Sequence, residues 1–227
     1  YETIWYSATR LLILVGQLME FRKIESDHVT LHVRQGSAAG FVSLVTRSFR
    51  PLLEKKKIRL HTCIGGKTDS FAFDFDKLEK ILTNLLMNAI VHTPSEGEIT
   101  VDFQVAESLL QLSVQDSGKG IDPSLKDNIF EIFSSDKAAY GFAKGSGIGL
   151  ALVQSLVKFL KGKIEVNNSE QGGCIFKVSL PLTCSSGPFD PYQSRIPEKQ
   201  LFCTDEPGSG LSYENLPTVN KPERTYT

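Results

Sequence analysis

Apolar residues recur at alternating intervals of four and three along the first 25 residues of the chain, in the series Ile4, Ala8, Leu11, Val15 and Leu18. Side chains three and four residues apart lie on one face of a helix, so the series predicts an amphipathic helix. Its apolar face is too large to be left in water. The helix therefore needs a partner, as in a helix bundle or a coiled coil.

Between residues 29 and 182 the periods of strands and helices follow one another. The predicted strands are 99–105, 109–115 and 174–180, and the predicted helices are about 38–56, 76–92 and 147–161. The strands alternate cleanly between apolar and polar residues, which suits a mainly antiparallel sheet covered on one face. The expected fold is α+β, a two-layer α/β sandwich preceded by the single bundle helix.

The residues after 182 lose this periodicity. Six of the ten prolines of the chain lie between residues 183 and 227. Proline-rich sequence without an apolar period predicts a linker or an extended tail.

Composition excludes several classes of function. The chain has 227 residues and a net charge of −1, from 25 basic and 26 acidic residues. This balance gives no reason to expect direct nucleic-acid binding. No apolar run approaches the roughly 18 residues of a membrane span. The four cysteines show no CxxC pairing, so we interpret them as buried or incidental thiols in a reducing compartment.

Three glycines at alternate positions, Gly145, Gly147 and Gly149, precede the predicted helix LALVQSLVKFL. The spacing differs from a dinucleotide fingerprint, and the GK[ST] of a Walker loop is missing. The amide groups at a helix start can hold an anion such as phosphate. The alternative is a flexible surface loop with a glycine cap.

Asp116 follows a predicted strand and shares the parity of its inward residues Leu110, Leu112 and Val114. A carboxylate that faces an apolar core is costly unless it is hydrogen-bonded. The amino group of a flat heterocycle could supply that bond. The alternative is a tight Asp-x-Gly turn in which Asp116 is a local cap.

Asn84 and Asn88 lie one turn apart within the predicted helix 76–92. Asparagine is a poor helix former and is seldom buried. Two amide oxygens in line suit a hard cation such as Mg²⁺ beside phosphates. The alternative is a pair of solvated polar residues on the outer helix face.

These elements, in this order, resemble the nucleotide-binding domain of sensor histidine kinases, within the superfamily that includes gyrase and the ninety-kilodalton chaperone. NLLMNAIVHTP resembles the asparagine box, VQDSGKGI the first glycine box, IFEIF the phenylalanine box and GSGIGLALV the second glycine box. GKIEVNNSEQGGCIFKVSLPL resembles the closing hairpin of that family. RLLILVGQLMEFRKIE resembles the second helix of the dimerisation and phosphotransfer domain, particularly in hybrid kinases of Bacteroidetes.

The resemblance implies a site for ATP and Mg²⁺. Asp116 would accept from the adenine amino group, and Asn88, helped by Asn84, would hold Mg²⁺ on the phosphates. The other residues implied to hold the nucleotide are His92, Gly118, Lys119, Gly120, Ile121, Lys144, Gly145, Ser146, Gly147, Ile148, Gly149 and Leu150. Residues 134–144 would form a mobile lid. Phe130 and Phe133 would pack at its base.

The resemblance also implies phosphoryl transfer and not hydrolysis. ATP-hydrolysing members carry a glutamate where Asn84 stands, and an amide cannot act as a base towards water. Two departures matter. Val91 stands where the family usually has Lys or Arg, with Lys144 or Lys137 as candidates to compensate. None of the four histidines lies in an HExRTPL-like motif, so the phosphoaccepting histidine is outside this chain.

The expected organisation is a second bundle helix at 1–27, a catalytic domain at 28–182 and a linker or tail at 183–227. Expected partners are the first bundle helix with its histidine, a receiver domain or response regulator, and a second copy of the parent. We expect the cytoplasmic part of an inner-membrane hybrid sensor. Alternatives are a degenerate kinase that senses nucleotide or acts as a scaffold, and a Ser/Thr kinase of the anti-sigma type, against which the N-terminal helix argues.

Overall fold

The structure is a computed structural model, and it describes residues 11, 15–24, 30–66, 70–106, 108–126, 128–131, 147–170 and 172–182. The helices are α1 (15–24), α2 (Ala38–Ser48), α3 (Arg50–Lys56), α4 (Phe75–His92) and α5 (Gly149–Phe159), with a 3-10 turn at Pro123–Leu125. The strands are β1 (Arg34–Gly36), β2 (Arg59–Gly66), β3 (Phe71–Phe73), β4 (Glu98–Val105), β5 (Leu109–Asp116), β6 (Lys163–Asn168) and β7 (Cys174–Pro181).

Five strands form the main sheet, in the order β2-β4-β5-β7-β6. β2 runs parallel to β4, and the other neighbours are antiparallel. The mainly antiparallel sheet is therefore confirmed. β1 and β3 form a separate antiparallel pair, and neither was predicted, because three residues are too few to show a period of two.

The core lies between this sheet and the helices, so the predicted α+β two-layer sandwich is confirmed. Alternate residues of β4, Ile99, Val101 and Phe103, are fully buried. They pack in one cluster with the apolar face of α4, which consists of Leu78, Ile81, Leu82, Leu85 and Leu86. The alternation along β4 and the helical spacing along α4 thus meet at one interface, as the sequence pattern requires.

The prediction of one helix over about 38–56 was wrong. α2 ends and α3 begins at Phe49, whose side chain is buried. Pro51 lies in the first turn of α3. Proline has no N–H to donate to the preceding turn, and its ring clashes with that turn, so a continuous helix cannot form there. Proline is well tolerated in a first helical turn, where the new helix starts.

A buried ion pair holds the N-terminal end of α4. Asp74 caps the helix by accepting from the Lys77 backbone N–H, and Lys77 Nζ lies 2.6 Å from Asp74 Oδ2. Burial opposes ionisation of Asp74. Hydrogen bonds from Lys77 and from the His32 N–H outweigh it, so the pKa of Asp74 lies below its ordinary value. Lys77 Nζ also donates to the Thr30 carbonyl at 2.8 Å, which ties the chain before β1 to α4.

Lys56 holds the other end of α4. Its ammonium group donates to the carbonyl oxygens of Ile90, Val91 and Thr93 at 2.6, 3.3 and 2.9 Å. The last carbonyls of a helix lack intrahelical partners, and a cation there also interacts favourably with the helix dipole. α4 is thus anchored at both ends before any ligand is considered.

α1 covers the described part of the helix predicted for residues 1–25. Its Glu20 forms an ion pair with Lys80 of α4, and Ile24 is buried against the core. Several apolar side chains nearby stay exposed, namely Leu11, Val15, Leu18 and Met19. The domain limit predicted near residue 27 and the tail 183–227 lie outside the described residues. Within the described part of the chain, no helix is long and apolar enough to cross a membrane.

Candidate functional site

Asp116 ends β5 and is 3% exposed, on the inward face that its parity predicted. Its Oδ1 accepts from the Gly118 N–H at 2.8 Å, so the local turn that we considered as the alternative is present. Its Oδ2 accepts from Cys174 Sγ at 2.9 Å, and the Cys174 N–H approaches Oδ1 at 3.5 Å. The buried carboxylate is therefore held by groups from one neighbouring strand, β7, and from the turn after β5.

Cys174 begins β7, and its thiol is buried beside Asp116. Burial and the neighbouring carboxylate raise the pKa of this thiol far above its ordinary value. The thiol consequently stays protonated and is a donor to Asp116. The sheet register explains the contact, since Gln115 pairs with Ile175 and the next residues along the two strands are Asp116 and Cys174.

Two glycines are required here because the backbone at their positions lies too close to neighbouring backbone atoms to leave room for a side chain. A Cβ on Gly118 would lie 2.6 Å from the His92 carbonyl oxygen, and a Cβ on Gly173 would overlap the Asp116 carbonyl oxygen. Gly173 also has a φ of +77°, which side chains rarely adopt. Gly118 was predicted to let the backbone approach a ring, and its closeness to the end of α4 was not predicted.

The loop after Gly118 is also held by Asn168, the last residue of β6. Asn168 accepts from the Ile121 N–H at 2.8 Å and donates to the Ile121 carbonyl at 2.9 Å. Gly120 has a φ of +74°, while Lys119 points into solvent. Ile121 packs partly against the core. The loop is thus ordered by a two-way amide contact, which the sequence pattern did not indicate.

Asn84 and Asn88 are both half-buried on α4, so they are not fully solvated outer-face residues. Asn84 Nδ2 donates to the Lys80 carbonyl at 2.7 Å, and its Oδ1 accepts from Gln17 Nε2 of α1 at 3.2 Å. His92, predicted beside the site, is the last residue of α4, and its ring is exposed.

The start of α5 faces Asn84. A Cβ on Gly149, the first residue of α5, would lie 2.8 Å from Asn84 Oδ1. Gly147 has a φ of +68°, Ile148 is buried, and Leu150 is half-buried. The N-cap residue of α5 is Ile148, whose side chain makes no capping hydrogen bond.

Part of the predicted site lies outside the described residues. This part comprises Lys144, Gly145, Ser146, the predicted lid 134–144 with its Lys137, and Phe133. Phe130 is described. Its ring meets Phe176 of β7 edge-on with centroids 6.5 Å apart. Its predicted packing at the base of the lid stays a prediction, because the lid lies outside the described residues.

α4 brings the two described halves of the site together. Near its C-terminal end it touches the loop after β5, through His92 and Gly118, and two turns earlier it touches α5, through Asn84 and Gly149. At 1.5 Å per residue these contacts are roughly 12 Å apart along the helix. The candidate site is therefore an elongated surface, with a buried carboxylate at one end and amide groups at the other.

Residues 73–184 match the family of histidine kinase-, DNA gyrase B- and HSP90-like ATPases. The chain carries the ATP-binding catalytic domain of a histidine kinase. Histidine kinase P4 of Formosa agariphila is 32% identical over 180 residues, which make up 78% of this chain and 13% of that protein. The chain spans about a quarter or less of the length of such curated relatives.

Solved structures agree on the fold. Full-length ShkA in complex with AMPPNP superposes with a TM-score of 0.69 and 24% identity, over 81% of this chain and 38% of that one. Histidine kinase ThkA in complex with the response regulator TrrA superposes with a TM-score of 0.64 and 23% identity, over 80% of this chain and 50% of that one.

Sequence reasoning missed three residues that shape this histidine kinase site. Cys174 was interpreted only as one of four buried or incidental thiols, and neither Gly173 nor Gln17 was singled out. Asp116 and Cys174 both lie at inward positions of their strands. Their contact could be predicted only if the pairing of β5 with β7 were already known. Nothing near Gln17 in the sequence indicates its contact with Asn84.

Proposed function

We propose that this domain binds Mg-ATP in the elongated site and donates the γ-phosphate to a histidine that lies outside the chain. The observation that carries the proposal is the buried carboxylate of Asp116, fixed by protein donors at the floor of the site. The family match and the AMPPNP complex of ShkA support a nucleotide as the ligand.

Asp116 recognises the adenine base by accepting a hydrogen bond from it. A carboxylate offers about four acceptor positions, and the recorded protein donors leave some of them available. The exocyclic amino group of adenine is a donor of matching type. The backbone of Gly118 and Gly120 flanks the base, beside Lys119 and Ile121, and His92 lies at the edge of the site.

The amide end receives the phosphates. Asn88 and Asn84 offer neutral oxygens, which fit a Mg²⁺ ion that takes its other ligands from phosphate and water. When bound, Mg²⁺ neutralises charge on the phosphates during transfer. The amides of Gly145, Ser146, Gly147, Ile148, Gly149 and Leu150 surround the phosphate chain at the start of α5, and Lys144 adds a cation.

The residues of this site position the reactants and do not perform acid–base chemistry. The imidazole nitrogen of the acceptor forms a P–N bond to the γ-phosphorus while the bond to the β,γ-bridging oxygen breaks, and ADP leaves with that electron pair. Asn84 cannot take a proton from water, so ATP is reserved for the imidazole. Val91 supplies no cation, which lowers affinity or rate relative to a lysine.

The parent in this proposal is an inner-membrane hybrid sensor kinase whose cytoplasmic part includes this chain. Residues 1–27 are the second bundle helix, 28–182 the catalytic domain and 183–227 a linker. The exposed apolar side chains near α1 suit the first bundle helix, which carries the histidine, and a second copy of the parent. The ThkA–TrrA complex supports a receiver domain or response regulator as the phosphate acceptor downstream.

Calorimetric titration with ADP and AMPPNP, with and without Mg²⁺, tests the binding step. Replacing Asp116 with Ala should weaken ADP binding by roughly 50-fold, because a hydrogen bond to a charged group contributes about 1.5–3 kcal/mol. Asp102→Ala is the matched control, since Asp102 bonds Gln104 of its own strand. No binding by the wild type at millimolar ADP would refute the proposal.

Transfer is tested by adding a histidine-bearing helix pair from a curated relative together with radiolabelled ATP. Acid-labile phosphate on the added histidine is the expected result. Tight ATP binding with no transfer to any histidine would instead indicate a nucleotide-sensing or scaffold module. Phosphate on a serine would indicate a kinase of the anti-sigma type.

A further inference from the structure

We propose that the outer edge of β2 pairs with the same edge of a second copy of this chain, in an antiparallel register centred on Thr62. The pairing joins two five-stranded sheets into one continuous sheet across a twofold axis. None of the candidate site residues lies on β2, so the inference does not depend on the proposed function.

Backbone groups along the outer edge of β2 are the first support. β2 is an end strand of the main sheet, beside β4. The Arg59 N–H donates to the Gly97 carbonyl, so Arg59 and every second residue after it direct their backbone groups towards β4. The intervening residues Leu60, Thr62 and Ile64 therefore direct theirs outward. Within the described part of the chain, no partner is recorded for these outward groups, which form a template for another strand.

The other end strand of the sheet, β6, is protected in ways that β2 is not. Lys163 and Glu165 form an exposed ion pair on β6, and Asn168 at its end bonds the Ile121 backbone. From Leu60 to Gly66, β2 has no lysine, no carboxylate and no proline. Proteins commonly protect a long exposed edge with such residues. The eight-residue edge of β2 therefore has the character of an interaction surface.

The sequence of β2 is complementary to itself, which indicates a second copy as the occupant. With Thr62 opposite its own equivalent, the strands overlap along their whole length. This register places Leu60 opposite Ile64, His61 opposite Cys63, and Arg59 opposite Gly65. Aliphatic pairs and threonine pairs stabilise neighbouring strands, and no like charges face each other. A parallel, in-register pairing would instead place the two Arg59 side chains side by side.

The proposed pairing also satisfies the outward backbone groups. Leu60, Thr62 and Ile64 become hydrogen-bonded pairs, which gives about six backbone hydrogen bonds between the two strands. Leu60 and Ile64 lie at the margin of the core, where they are half-buried. Pairing removes more of their apolar surface from water.

Disulfide formation between two chains tests the register. The proposed pairing makes position 61 of one copy and position 63 of the other a non-hydrogen-bonded pair, with Cα atoms about 4.5 Å apart, within reach of a disulfide. One chain carries His61→Cys with Cys63→Ser, and the other retains Cys63. Both carry Cys184→Ser and Cys203→Ser, while Cys174 stays because it is buried. The two chains are mixed, oxidised with diamide and separated on a non-reducing gel.

We expect a disulfide-linked dimer in the mixture and at least fivefold less of it in either chain alone. In either chain alone, the identical thiols lie diagonally, with Cα atoms about 8 Å apart, which is too far for a disulfide. Equal yields in the mixture and in the separate chains would indicate random collision. A higher yield in the separate chains would indicate parallel strands. Either result, or no dimer at all, would overturn the inference.

A matched pair of substitutions at Thr62 tests the backbone hydrogen bonds in the same mixture. Thr62→Pro in both chains removes the central outward N–H groups, and an edge strand tolerates proline at such a position. Thr62→Val keeps the N–H and the branched shape. The dimer yield should fall about tenfold with proline, for the two hydrogen bonds lost, and stay unchanged with valine.

Disulfide yield is the readout because the exposed apolar side chains near α1 also favour association. Melting temperatures establish that each variant is folded. An undiminished yield with Thr62→Pro, or an equal loss with Thr62→Val, would overturn the inference. If Thr62→Pro does not fold, the comparison of the mixture with the separate chains decides alone.

Discussion

The two ends of the candidate site are built in different ways. At the base end, Asp116 is almost fully buried. Donors from the turn after β5 and from β7 hold its two carboxylate oxygens. At the phosphate end, Asn84 and Asn88 are half-exposed on a helix surface, and the recorded partner of Asn84 Oδ1 comes from α1.

This difference indicates which end is preorganised. The base end depends on the register of β5 and β7, which cannot change by one residue without turning core side chains outward. The phosphate end depends on contacts among α1, α4 and α5, and it can rearrange while the sheet stays intact. We therefore expect substitutions at the base end to affect folding as well as binding, and substitutions at the phosphate end to affect binding alone.

Both ends of the site share α4, and the buried Asp74–Lys77 ion pair at the N-terminal end of this helix holds it in place. Asp74→Asn leaves the Lys77 ammonium buried without its counter-charge, so the free energy of unfolding should fall by about 3–5 kcal/mol. Chemical denaturation measures this change. Asp76→Ala removes an exposed ion pair with Arg34 and should cost less than about 1 kcal/mol.

The same pair predicts the response to acid. The folded-state pKa of Asp74 lies below its unfolded value, so the unfolded chain takes up a proton first. Its contribution to stability is present above the ordinary aspartate pKa of about 4 and is lost as the pH falls through the lower folded value. A variant with Asn at position 74 that lost as much stability on acidification as the wild type would contradict this assignment.

The substitution Gly173→Ala should cause the next largest loss of stability, and it tests the rigidity of the base end. The added methyl group would meet the Asp116 backbone, and the positive φ is strained for alanine. Together these should cost about 2–4 kcal/mol of stability and abolish ADP binding.

Gly172→Ala is a close control. Gly172 also has a positive φ, of +93°, but nothing lies within 4 Å of its added Cβ. Only the conformational cost of about 1–2 kcal/mol should remain, with ADP binding unchanged. Equal losses in the two variants would show that backbone strain alone, and not contact with Asp116, makes Gly173 necessary.

Asn88→Ala tests the phosphate end at a smaller magnitude. We expect ADP binding with Mg²⁺ to weaken about tenfold, to the level seen without Mg²⁺, because one oxygen ligand is lost. The melting temperature of the ligand-free protein should not change. Asn167→Ala, whose side chain bonds Lys126 elsewhere, is the control. A lower melting temperature for Asn88→Ala would show that this residue stabilises the fold, and would contradict the expectation that the phosphate end affects binding alone.

Gln17→Ala should give the smallest effect. It removes the α1 donor to Asn84 Oδ1 and leaves that oxygen available to Mg²⁺. Binding of Mg-ADP should tighten by a few-fold, within the net contribution of about 0.5–1.5 kcal/mol of one hydrogen bond. Calorimetry at saturating Mg²⁺ would detect it. Weaker binding would mean that Gln17 supports the nucleotide site and does not compete for Asn84.

Elements with a clear period were predictable because each of their residues adds to one repeating signal. The long helix α4, the inner strands β4 and β5, and the inward orientation of Asp116 all follow from residues close together in the chain. β1 and β3 are too short to show a period. The break at Phe49 could be predicted only by weighing Pro51, two residues later, above the helical spacing.

Local pattern and the family boxes therefore determined the fold class, the ATP-binding assignment and the candidate residues Asp116, Asn84 and Asn88. Only the tertiary structure decided what surrounds them. Cys174 lies 58 residues from Asp116 in the chain, and Gln17 lies 67 residues from Asn84. Contacts over such separations leave no periodic trace, because they depend on which strands pair and on how one helix lies across another.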